Sequence, residues 1–97
     1  MNAIRVCCVD HGDIYPPSLV FDIASDYWDE NVLSWDAHSG HGGASIDWVE
    51  HHRQASDDVA QELLATYIKL HEAYQEEPVE YKLVGIDEFV NIYWGCE

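Results

Sequence analysis

The segment from Asp57 to Glu76 reads as one long amphipathic helix, and it constrains this chain more than any other feature. Ser56 suits the N-cap position, and Asp57 and Asp58 complement the positive end of the helix dipole. Val59, Leu63, Tyr67, Leu70 and Tyr74 recur at spacings of four or three, flanked by Ala60 and Leu64, and form one broad apolar face. Pro78 ends the pattern. Such a helix needs an apolar surface to cover, and strand-like segments at both ends of the chain supply one.

Ala3–Val9 alternates as a strand with Ile4, Val6 and Cys8 on one face, and Ser18–Ala24 does so with Leu19, Phe21 and Ile23 facing inward. Between them Asp10–Pro17 is a turn, because Gly12 relaxes the backbone and Pro16-Pro17 cannot continue a ladder. The two strands therefore pair as a hairpin with a long connection. Ser25–Asn31 reads as an exposed acidic loop, Val32–Ala37 as a third strand, and His38–Gly43 as a glycine-rich loop. Ser45 caps a short helix over Ile46–Arg53, a stretch nearly as compatible with a strand. After the long helix, Val79–Val84 and Phe89–Trp94 both alternate and read as a hairpin about a turn at Gly85–Glu88. The expected fold is α+β in a single domain over residues 1–97. It has an antiparallel sheet of about four to five strands, with one long amphipathic helix and a short one packed on one face.

Apolar residues make up 47% of the 97 positions and aromatics 12%, far above an acidic disordered tail, so the chain is expected to pack a core. Against that core stands a formal net charge of -15, from 19 acidic and four basic residues. Small domains are well served by a net charge of about 2–8 in magnitude, and self-repulsion beyond that destabilises the compact state. Nucleic acid and anionic membranes are disfavoured as direct ligands, because both are polyanions. Cys7, Cys8 and Cys96 form no disulfide framework, and Cys7 and Cys8 point to opposite faces of their strand, as expected of reduced thiols in a cytoplasmic protein. No apolar run is long enough for a signal peptide or a membrane span.

Asp58, Glu62, Glu72 and Glu76 fall within an arc of roughly 80° at 100° per residue, opposite the apolar face, with Lys69 the only cation to interrupt it. Two of the i,i+4 pairs within it are like-charged, and each costs the helix about 0.2–0.5 kcal/mol where a lysine would have stabilised it. The stripe rises about 27 Å. Duplex DNA presents 15 charges over about 25 Å of axis. Asp26, Asp29 and Glu30 in the acidic loop, with Glu77 beside Glu76, extend the candidate partner-binding surface.

In size, charge and aromatic content the chain resembles the DNA-mimic inhibitors encoded by phages and mobile elements, among them certain anti-CRISPR and anti-restriction proteins. The resemblance implies a non-enzymatic inhibitor of a basic nucleic-acid-binding effector or nuclease, acting in the host cytoplasm without a cofactor. The alternative is an acidic adaptor or antitoxin-like partner of a basic protein. Tyr27, Trp28 and Trp35 are aromatic anchors for either, whereas Trp48 and Trp94 read as core. A third reading is a small metal-dependent enzyme using Asp36, His38 and His41, although their spacing matches no established metal motif. The remaining histidines read as surface or boundary residues, and Cys7 or Cys8 with His11 lacks an oxyanion loop.

Overall fold

Strand β1 (Ile4–Asp10) is buried on both faces: Val6, Cys7, Cys8 and Val9 are each at most 1% exposed. The computed structural model describes residues 3–24, 31–72 and 79–94. Around β1 lie β2 (Ser18–Ala24), β3 (Asn31–Asp36) and β4 (Gly40–Ser45), each antiparallel to its neighbour. The register places Val6 opposite Phe21, Cys8 opposite Leu19 and Leu19 opposite Trp35, with Trp35 opposite His41. Those side chains line one face of the sheet. Cys7, Val20, Ser34 and Gly42 form the corresponding row on the other.

The far edge of β1 is shared. Its end at Val9 and Asp10 pairs antiparallel with β5 (Arg53–Gln54), whereas Ile4–Val6 pair in parallel with β6 (Tyr81–Leu83). The sheet is therefore mixed, and its helices cover both faces rather than one. Helix α2 (Asp57–His71) packs Ala60 and Tyr67 onto the face carrying Val6, Cys8, Leu19, Phe21 and Trp35. Helices α1 (Ile46–Glu50) and α3 (Ile86–Trp94) bring Ile46, Val49, Ile86, Phe89 and Val90 to Cys7, Val9 and Val20 on the opposite face. A strand apolar on both sides needs this double cover, and one helical layer would leave Cys7 and Val9 in water.

The expected Val79–Val84/Phe89–Trp94 hairpin is not formed, because its second arm is helix α3. Ile86, Phe89 and Val90 stand at i, i+3 and i+4, and Asp87 and Glu88 occupy the first turn where the dipole favours them. Gln54 Oε1 accepts the Ile86 N–H at 2.8 Å, satisfying an amide that a helix start leaves open. The expected loop over His38–Gly43 is in large part strand β4, with a turn over 37–39 closed by Gly40 at φ 82°. Ser45 and Ser56 cap α1 and α2 as expected, accepting from the Trp48 and Val59 amides. The apolar face of α2 is rotated from the expected one: Leu63 and Leu64 are half-buried, while Val59 and Leu70 are 40% and 56% exposed. The expected extension of this helix to Glu76 lies outside the described residues.

Two outcomes follow for stability. Phe89 is fully buried on α3, so Phe89→Ala should cost about 3–5 kcal/mol in urea denaturation. The same truncation at exposed Leu70 should cost far less. Burial pushes the Cys7 thiol up to about 12, with Cys8 adding to it, and burial pushes the Cys8 thiol up to about 11, with Asp10 adding to it. The unfolded chain ionises these thiols near 9.0, so above that pH it holds fewer protons than the fold. Stability should fall as pH rises from 9 toward 11, by up to about 1.4 kcal/mol per unit for each thiol. Denaturation of Cys7→Val across that range should give a visibly shallower slope.

Candidate functional site

None of the described carboxylates is buried. Asp57, Asp58, Glu62 and Glu72 are exposed on α2 or at its C-cap, and Asp47, Glu50, Asp87 and Glu88 are exposed on α1 and α3. Because these helices cover opposite faces of the sheet, negative charge is displayed on two sides of the molecule. Asp26, Asp29, Glu30, Glu76 and Glu77 lie outside the described residues. The few cations are partly engaged: Arg5 meets Asp22 at 3.3 Å and Arg53 meets Asp10 at 3.5 Å. Arg5 and Lys82 are lateral partners across β1 and β6, so two of the four basic residues lie side by side.

Two aromatic–histidine clusters sit on opposite faces of the sheet and are built alike. In one, His52 packs on Trp48 four residues earlier with ring centroids 4.0 Å apart, and its Nδ1–H donates to the Trp48 carbonyl at 2.8 Å. In the other, His71 stacks on Tyr67 at 4.1 Å and donates to the Tyr67 carbonyl at 2.8 Å. A second imidazole from the sheet side completes each: His11 stands 5.1 Å from His52, and His41 stands 5.1 Å from His71. His41 Nε2 lies 3.1 Å from the Tyr67 hydroxyl, which burial pushes up to about 12. Trp35 packs into this second cluster and is only 5% exposed, so it is a core residue and not the expected surface anchor. Trp48, expected in the core, is 36% exposed.

Beside the first cluster is a cleft of about 370 Å³ on the α1 side of the sheet. Its floor is made of small residues, since Ser18, Ser34, Gly40 and Gly42 all face this side. His11, Tyr15 and Trp48 line its walls, with Asp36 beside them. Ser18 is the one buried polar residue among those described, and its hydroxyl meets His11 Nε2 at 3.0 Å. Tyr15 reaches from the β1–β2 connection to the β3–β4 turn, where its hydroxyl bonds Ser39 and its ring meets His38. Asp36 Oδ1 accepts the His38 and Ser39 amides at 2.9 and 2.7 Å, fixing that turn.

Asp36, His38 and His41 do not converge. Asp36 pairs with Gly40 and His41 with Trp35, which places Asp36 and His41 on opposite faces of the β3–β4 ladder. Among the described residues Asp47, Glu50 and His51 bring ligand atoms within 4.8 Å of one another, all exposed on one short helix. His51 Nδ1 already donates to the Asp47 carbonyl there. The i,i+4 pairs Trp48/His52 and Tyr67/His71 were the sequence signal for the clusters, as the alternation of Gly40 and Gly42 was for the cleft. Comparison with protein-family models, with curated proteins and with solved structures found no match. No helix among the described residues is long and apolar enough to cross a membrane.

The histidines should titrate apart. Burial and the charge of His52 hold His11 below 6.5, partly opposed by Asp10 and Asp36. Burial and then His71 lower His41. The hydrogen bond to the Asp47 backbone, with its carboxylate, raises His51. In the fold, His11 and His41 favour the neutral form, so their contribution to stability is present above 6.5 and lost as pH falls below it. NMR titration of the ring protons should place His51 above 6.5 and His11 and His41 below it. Replacing His71 by Gln should move His41 upward.

Proposed function

We propose that this chain is an acidic protein-binding inhibitor that occupies a basic, nucleic-acid-binding surface of an effector or nuclease, in the manner of nucleic-acid mimics. The observation that carries this reading is the placement of charge: a net charge of -15 with no described carboxylate buried. Asp10, Asp22 and Asp36 are half-buried in ion pairs or a turn, and the remaining described acids are exposed. Acidic helices on both sides of the sheet favour insertion between basic walls over docking on a flat basic face. The molecule measures 34 × 34 × 25 Å, so such a groove would contact it from more than one side. On this reading the chain performs no catalysis and needs no cofactor, and a CRISPR effector or a restriction nuclease is the kind of partner it fits.

Partner binding should fall on the order of a thousandfold between 50 and 200 mM salt, as for a polyanion making several contacts, and a DNA duplex should compete for the same surface. The combined reversal Asp58→Lys, Glu62→Lys and Glu72→Lys leaves the core untouched and should abolish capture of the partner. Capture that survives both the reversal and saturation of the partner with duplex would overturn this function and leave the adaptor reading in its place.

A further inference from the structure

Net charge draws a basic partner in but does not fix its register, and the cleft beside Trp48 has the chemistry to do so. We infer that the cleft bounded by His11, Tyr15, Asp36 and Trp48 is a receptor for a guanidinium group, filled by one arginine side chain of the partner. This inference rests on the proposed function and names the chemistry that the partner must present.

Tyr15 and Trp48 are each 36% exposed, and both line the cleft. Aromatic faces attract a cation through their quadrupole, and the planar, weakly hydrated guanidinium stacks on rings where the compact ammonium of lysine does not. The third wall, His11, is held toward its neutral form, so it adds a ring without adding a competing positive charge. Asp36 supplies the counter-charge. Its Oδ1 is committed to the turn amides, and Oδ2 has no partner among the described residues. The floor leaves the space open, because Gly40 and Gly42 present no side chains above Ser18 and Ser34. The volume of about 370 Å³ admits a guanidinium and much of its stem. Arginine is also the cation most enriched at the centres of protein interfaces, where it pairs with Trp and Tyr.

The test uses the whole chain and a small probe, N-acetyl-L-arginine amide, with the citrulline analogue as its neutral isostere and the lysine analogue as a second cation. Titration followed by NMR should give saturable shifts at the Trp48 indole N–H and the His11 ring. The citrulline analogue should bind roughly tenfold more weakly, as expected when a charge-assisted contact is lost. Asp36→Asn keeps the Oδ1 acceptor that holds the turn and removes only the charge, and it should weaken the arginine probe by a similar factor. Gly42→Leu fills the cleft from the floor; a Cβ there meets only the Ser34 hydroxyl at an ordinary 3.6 Å, so the strand accepts a side chain. This variant should abolish the shifts. The reversal on α2 should leave them in place, which separates failure of this inference from failure of the proposed function. Absence of a saturable shift at Trp48, equal binding of citrulline or lysine analogues, or binding indifferent to Gly42→Leu overturns the guanidinium site.

Discussion

The arrangement of this molecule depends on one strand that is apolar on both sides. Val6 and Cys8 point one way, Cys7 and Val9 the other, and none of the four reaches water. Each face of β1 therefore needs its own cover. Among the described residues, α2 covers one face and α1 with α3 the other. The covering helices carry the acids outward on their far sides. Double burial at the centre and negative charge on two faces are thus one constraint seen from inside and from outside.

Much of this was legible in the sequence, and the failures have physical causes. Strand β2 runs over Ser18–Ala24 as expected, although Ile23, expected inward, is exposed and Val20 is buried on the opposite face; the caps at Ser45 and Ser56 fall where short polar side chains precede apolar periodicity. Helix α3 was hidden because FVNIYW is rich in residues that favour strands, and the helical period emerges only when Ile86 is counted with Phe89 and Val90. Strand β4 was hidden by glycine, which weakens any strand signal and is tolerated here because one row must stay low. The acidic surface could be read from composition. The cleft could not, since His11, Asp36 and Trp48 come together only because Arg53–Gln54 pairs with the end of β1 and brings the end of α1 back across the sheet.

On the proposed reading the two surface features act at different ranges. A field of fifteen net charges attracts a basic partner over a Debye length or so, raising the encounter rate without specifying a pose. A small cavity with aromatic walls and one carboxylate acts only on contact, and it discriminates by shape. Salt weakens the first far more than the second.

The division of β1's edge between β5 and β6 bears on how the chain finds its fold. Ile4 pairs with Tyr81 and Val6 with Leu83, so the central strand is completed by residues from almost the other end of the chain. Between β5 and β6 the backbone leaves that edge, lays α2 over one face and returns to the same strand. Closure of so large a loop must precede most of the burial that rewards it. The parallel pairing with β6 is therefore entropically costly, and without it Ile4–Val6 of β1 offer unpaired amides and carbonyls to any passing strand. The uniform negative charge of the chain acts against that encounter, since two copies repel before their edges can meet. The same excess of carboxylates that faces a basic partner thus keeps the half-folded chain apart from its own kind.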